Sequence, residues 1–238
     1  MKRTETRMKI NEKSFVNFPA LLGTAVLALA LGLAQARGGQ AGTAPSGADH
    51  PDHFTMKTAN GYLFVSNYDQ SPFTVRLRGK DVEQGTLGEG DSAFTVYSAD
   101  GLIVQFNTAG VAQFIQGDPS KLTDEDILEK HMEWELAYIE KSLGQKVKLG
   151  MHIATRVNAK DVFYYWEYDM PHPVKGGVIR NLMLTARVKN NLMVLNGMLT
   201  DEKDEKAMMG KLFEMAGTLT PAPAPITVDQ ARAEALKN

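Results

Sequence analysis

The 238-residue chain contains no cysteine. Disulfide staples, thiol redox chemistry, cysteine-ligated zinc or iron–sulfur sites and a lipid anchor on cysteine are therefore excluded, and stability must come from a buried core. A phosphate-cradling G-x-x-x-x-G-K-[ST] loop is also missing: Gly85, Gly88 and Gly90 lead to Asp91 rather than a lysine and read as a flexible hairpin loop. The run Gly90-Asp91-Ser92-Ala93-Phe94 lacks the second glycine of a nucleophile elbow, and no H-E-x-x-H occurs. Serine-hydrolase and zincin chemistries lose their best support, and no cofactor is expected. Nor is there a block of basic residues, so no nucleic-acid partner is expected.

Only one apolar run is long, from Phe18 to Ala34, and it follows Lys2, Arg3, Arg7, Lys9 and Lys13. It closes on Ala34-Gln35-Ala36, the small-x-small pattern of a secretory cleavage site. At about 1.5 Å of rise per residue its 17 residues span roughly 25 Å, short of the roughly 30 Å of a bilayer core. Residues 1–36 are thus expected to be a signal peptide, with Met8 as a second candidate start, and the remainder to be exported to the periplasm or beyond. An uncleaved N-terminal anchor is the alternative, and membrane contact is expected only in that case. Removing the leader's 5 basic and 2 acidic residues from the chain's 26 and 28 leaves a net charge of −5.

Residues 37–53 read as a flexible linker, rich in glycine with Pro45 and Ser46. Residues 54–219 have the length of a single domain. Residues 220–238 open on Pro221-Ala222-Pro223-Ala224-Pro225 and form a Pro/Ala-rich tail in which Thr227 and Gln230 can cap one short helix. Inside the domain, short β-branched or aromatic runs predict strands at Tyr62–Ser66, Phe73–Arg78, Ala93–Tyr97 and Leu102–Phe106, arranged as an antiparallel meander. Thr123 and Asp126 then open a helix through Leu143, stopped by Gly144, with Leu128, Met132, Leu136, Ile139 and Leu143 on one face.

Three further strands are predicted at Met151–Val157, Val162–Met170 and Ile179–Lys189. The last turns through Asn190-Asn191 into Leu192–Leu199. That turn would pair Lys189 with Leu192 and set Val188, Ala186, Leu184 and Leu182 opposite Met193, Leu195, Gly197 and Leu199, giving one wholly apolar face. A closing helix from Asp201 carries Met208, Leu212 and Met215. The fold class is α+β, a mainly antiparallel sheet with helices packed on it. The closing strands, their tight hairpin and the acidic-start helix Asp201–Leu219 together resemble the PsbP-like sandwich. That resemblance, over residues 54–219, implies a binding or assembly role without catalysis. A cystatin-like helix on a sheet is the alternative.

Four sets of residues could carry a site. Asp49-His50-Pro51-Asp52-His53 offers two imidazoles, His50 and His53, to a metal, although a solvated entry to the first strand explains the same residues. His131 and Glu135 share a helical face and, with Glu167, could serve a hydrolase or lyase, provided that all three meet in one cleft. Tyr164, Trp166 and Tyr168 alternate onto one face of their strand, where they would line an apolar ligand pocket or pack against the Thr123–Leu143 helix. His152, Arg156, Glu167, Arg187 and Asn196 would form a polar patch of both signs if their faces coincide.

The function expected is an exported, non-catalytic binding or assembly module that recognises a protein partner or a small ligand in the cell envelope. Envelope hydrolase and metal-handling protein are the alternatives. N-terminal sequencing of the chain from an exporting bacterial host should read from Arg37, whereas a product that retains Met1 or Met8 would contradict the leader.

Overall fold

The computed structural model describes residues 50–87, 94–156, 162–171 and 177–237, so the leader and most of the linker lie outside the described residues. Along the chain run β1 (His53–Thr58), β2 (Gly61–Ser66), β3 (Phe73–Arg78), β4 (Val82–Leu87), β5 (Phe94–Ala99), β6 (Leu102–Gly110) and α1 (Asp124–Leu143). They are followed by β7 (Lys148–Arg156), β8 (Val162–Asp169), β9 (Arg180–Val188), β10 (Asn191–Leu199), α2 (Glu205–Ala216), β11 (Thr220–Pro221) and α3 (Val228–Ala235). The strands form two antiparallel sheets, ordered β1-β2-β3-β11 and β4-β5-β6-β10-β9-β8-β7. The class is α+β, as the order of elements predicts. Among the described residues no helix is long and apolar enough to cross a membrane.

Alternation within each strand decides what covers it. On the inner face of the larger sheet, Tyr97, Val104, Leu184, Leu182, Leu195 and Phe163 meet Phe64, Phe73, Val75 and Leu77 of the smaller sheet. Helix α2 closes the same core with Met208, Leu212 and Met215, all fully buried. Met208 lies directly over Gly197, where a Cβ would come within 2.5 Å of its sulfur, so the glycine in β10 lets the helix approach. On the outer face, Tyr164, Trp166, Tyr168, Met183, Leu192 and Val194 pack under Ile127, Leu128, Met132 and Ile139 of α1. Every residue of β10 is therefore buried.

Helix α1 starts and stops by local chemistry. Thr123 Oγ1 accepts from the Asp126 amide at 3.1 Å while Asp126 Oδ2 accepts from the Thr123 amide at 2.9 Å, a reciprocal capping box. Gly144 ends the helix in the left-handed region at φ 67°.

Three differences from the expected elements have identifiable causes. First, the expected meander is split: β2 and β3 belong to the smaller sheet, β5 and β6 to the larger. Second, β1 begins at the end of the expected linker, with Phe54 and Met56 alternating onto the face that α3 covers, and Gly85 lies within β4 rather than in a loop. An edge strand that is largely exposed, such as β4, carries little apolar pattern to read. Third, the β9–β10 turn is Lys189-Asn190, so Val188 pairs with Asn191 and Ala186 with Met193. Lys189 adopts the positive φ of 56°, and Asn191 is held within the strand. Its side chain accepts from the Leu192 amide at 2.8 Å and donates to Ser66 Oγ at 3.2 Å. Each partner moves by two residues, which leaves the apolar face unchanged.

Residues after Leu219 dock. Thr220 and Pro221 pair with β3, and α3 lays Ala231 and Ala235 on Phe54, Leu63 and Val65. Thr227 and Gln230 form a second capping box. Asn67 joins both ends of the fold: its amide nitrogen donates to the Pro51 carbonyl at 2.9 Å and the Ile226 carbonyl at 3.0 Å. Its carbonyl oxygen accepts from the Ile226 amide at 2.7 Å. Asn67→Ala would leave those groups unsatisfied, each at a cost of roughly 1–3 kcal/mol where water cannot reach. Urea unfolding should show a loss of about 2 kcal/mol or more, with faster amide exchange in α3. Unchanged exchange in α3 would contradict the clamp.

Candidate binding surface

The aromatic strand faces a packed helix. Trp166 is 0% exposed, and Tyr164 and Tyr168 are as thoroughly covered. Trp166 stacks on Tyr168 with centroids 5.6 Å apart. Burial pushes the Tyr168 phenol far above its ordinary range, so it stays protonated. Truncating such a buried aromatic costs roughly 3–5 kcal/mol, several times the effect of an exposed ion pair at about 0–1 kcal/mol. These three residues are brought together as core.

The residues that a hydrolase would need do not converge. His131 is fully buried on α1, against Phe114 at 5.3 Å between centroids and near Trp134. Its Nε2 lies 3.3 Å from Glu135 Oε2, within ion-pair reach, but the alignment is too poor for a hydrogen bond. Glu167 sits on the opposite face of the larger sheet, where the Tyr165 hydroxyl donates to it at 2.7 Å. The sheet thus separates Glu167 from His131 and Glu135. Burial, reinforced by the Glu167 carboxylate, pushes the Tyr165 phenol far upward and keeps it a donor.

The expected polar patch is split in the same way. His152 and Arg156 lie exposed on the α1 side of β7, whereas Glu167 lies on the inner side. Arg187 is tied to Asp124 at 2.9 Å, and Asn196 is buried mid-sheet. At the N-terminal end His50 is exposed. His53 stacks on Tyr68, with its Nε2 3.3 Å from Thr108 Oγ1. Burial holds the His53 ring below the ordinary imidazole range against the opposing charge of Asp52. No group of three or more His, Asp or Glu side chains placed to hold a metal occurs among the described residues.

A depression of about 600 Å³ lies where three turns meet α2. Its Lys211 ammonium donates to the Arg78 carbonyl at 2.8 Å and to Glu214 at 2.9 Å, and also lies 3.4 Å from Asp100. The Asp100 carboxylate in turn accepts from the Lys80 amide at 2.8 Å, so the charged groups here knit the turns together.

What remains is the free end of the larger sheet. β7 is its last strand, and Gly150, Met151, His152 and Ile153 are all exposed. Met151 at 48% and Ile153 at 53% are two of the four large apolar side chains exposed among the described residues. A bulge between Leu149 and His152 seats Glu167 against the strand; a Cβ at Gly150 would come within 2.6 Å of its carboxylate. From His152 to Arg156 the pairing with β8 is regular, so the outer side of β7 presents a row of backbone donors and acceptors. No recognisable motif marks this surface in the sequence, yet a signal exists: residues 141–160 hold five basic residues and no acidic one.

Beside the strand, Asp169 accepts from Arg180 at 2.7 Å and lies 3.2 Å from the Lys148 ammonium, while Arg180 also reaches Glu205 at 2.8 Å. This network fastens the ends of β8 and β9 to the start of α2.

No protein-family model matches the chain, and no curated protein matches its sequence. Among solved structures the chain is similar to the solution structure of cyanobacterial PsbP (CyanoP) from Synechocystis sp. PCC 6803. The TM-score is 0.44 at 12% identity, over 76% of this chain and 98% of that one. That is the sandwich which the order of elements resembles. The likeness concerns the fold alone, and no site residue passes across it.

The ion-pair network has a pH signature. Burial opposes ionisation of Asp169, but the hydrogen bonds from Arg180 and Lys148 outweigh it and hold the carboxyl below its ordinary value. A carboxyl depressed in this way contributes stability above its unfolded pKa of about 4, and loses it as pH falls through the folded value. Arg180→Met should therefore be less stable than the parent near neutral pH and lose less stability on acidification, so that the two curves of urea midpoint against pH converge across the acid range. Parallel curves would show that the network does not hold Asp169 ionised.

Proposed function

We propose that the chain is an exported binding or assembly module that performs no chemistry and engages a protein partner through the outer edge of β7. The observation that carries this reading is the exposure of Met151 and Ile153 on a strand that ends its sheet. Isolated edge strands normally carry charges and little else, because an apolar edge invites pairing with another chain. An apolar edge that persists is the surface expected of strand addition, in which main-chain hydrogen bonds give affinity and alternate side chains give specificity.

Full packing of Tyr164, Trp166 and Tyr168 favours a surface partner over an enclosed small ligand. Separation of His131 from Glu167 by the sheet favours binding over catalysis. Export rests on the charged, apolar and Ala-Gln-Ala segments of the leader.

A photo-crosslinking residue placed at Ile153 tests the proposal in cells that export the chain. Envelope fractions should yield a discrete adduct from position 153, none from the exposed edge position Lys57, and none once Met151→Asp is added. That variant should fold within about 0.5 kcal/mol of the parent, as exposed substitutions do. No adduct at 153, or equal adducts at 153 and 57, would overturn the proposal.

A further inference from the structure

The charges that flank β7 say what kind of segment its edge accepts. In the pairing with β8, His152, Ala154 and Arg156 lie on the α1 side, whereas Lys148, Ile153 and Thr155 lie on the inner side, with Met151 alternating against His152. The chain around β7 is basic in sequence, yet Lys146 and Lys148 are paired with Glu140 and Asp169. Arg156 is then the one permanent cation that β7 sets on the α1 side.

The larger charge on that side comes from the helix. Glu125, Glu129 and Glu133 stand four residues apart on one flank of α1, all exposed and none in an ion pair among the described residues. The opposite flank, with His131 and Trp134, meets Phe114, which follows β6. Because α1 lies over β8 and β9, the glutamate flank faces β7. Like charges four apart cost a helix stability, so folding does not account for the stripe. Between the stripe and the edge lies Tyr164, opposite Ala154 in the pairing. Tyr164 is 4% exposed, and no hydrogen bond from its hydroxyl is found among the described residues. Burial, with the three carboxylates adding to it, pushes this phenol above its ordinary range and keeps it a donor. Ala154 is too small to screen the carboxylates from the edge.

We propose that the occupant of this edge is an extended, basic segment of another protein, added as a strand beside His152–Arg156. Its lysines or arginines would reach over Ala154 to Glu125, Glu129 and Glu133, and its alternate apolar residues would lie beside Met151 and Ile153. Arg156 opposes such a partner with one charge against three, so the balance favours a cation. The inference rests on the β7 reading above and adds the chemistry of the partner.

Three short synthetic peptides test it on the purified full chain. All alternate valine with a polar residue, which is lysine, glutamine or glutamate. Titration followed by amide chemical shifts should place the lysine peptide on β7, bound about ten-fold more tightly than the glutamine peptide, with the glutamate peptide weakest. Added salt should narrow the gap. Glu129→Lys with Glu133→Lys should reverse the order of the two charged peptides, and Arg156→Gln should tighten the lysine peptide further.

Equal binding of all three at β7 would overturn the basic partner while leaving the edge as a docking site. A lysine peptide that shifts α1 alone would overturn strand addition as its mode of binding. Failure of any peptide to shift β7 or α1 would overturn both the pairing and the partner class. A concentration-dependent dimer in sedimentation, abolished by Ile153→Asp, would identify a second copy as the occupant and overturn the basic partner.

Discussion

The structure depends on burying both faces of the β9–β10 pair. No residue of β10 reaches solvent, and of β9 only the terminal Arg180 and the flanking Arg187 are part-exposed. A strand in that position needs cover above and below, and no single layer supplies it. The smaller sheet and α2 form the lower layer and α1 the upper, each attached through its own apolar stripe. The smaller sheet in turn has an outer face, and α3 closes it. Each successive layer thus exists because the one beneath it has an apolar face left over.

That sequence of covers stops at β7. Helix α1 lies over β8 and β9, and α2 over β10, β3 and β9, so the last strand of the larger sheet is flanked by neither on its outer side. A core substitution costs several kcal/mol, whereas an exposed side chain on β7 can change for a few tenths. The edge is therefore the place where sequence can be set by recognition rather than by stability. Glu167 and the bulge shape the start of the strand, and the Asp169–Arg180–Glu205 network steadies its neighbours.

Local signals were legible wherever the physics was local. The Thr123–Asp126 capping box, the stop at Gly144 and the alternation of Phe163 to Asp169 involve residues a few positions apart, and each is as the pattern predicts. The β9–β10 turn was displaced because Asn191 answers to Ser66, 125 residues away, rather than to its neighbours. Docking of the C-terminal segment depends on Asn67, 159 residues from Ile226, and leaves no mark in a short window of sequence. β4 carries little apolar pattern because water covers it. The candidate surface was hidden for a different reason. The acid-free stretch 141–160 is visible in the sequence, but its meaning requires knowing that β7 comes last in the sheet.

Amide hydrogen exchange on the isolated chain tests most directly whether burial ends at β7. Amides of β10 should exchange only through global unfolding, while the outward-facing amides from His152 to Arg156 should exchange orders of magnitude faster. Protection of those β7 amides equal to that of β10 would mean that the edge is already covered, and would contradict the account.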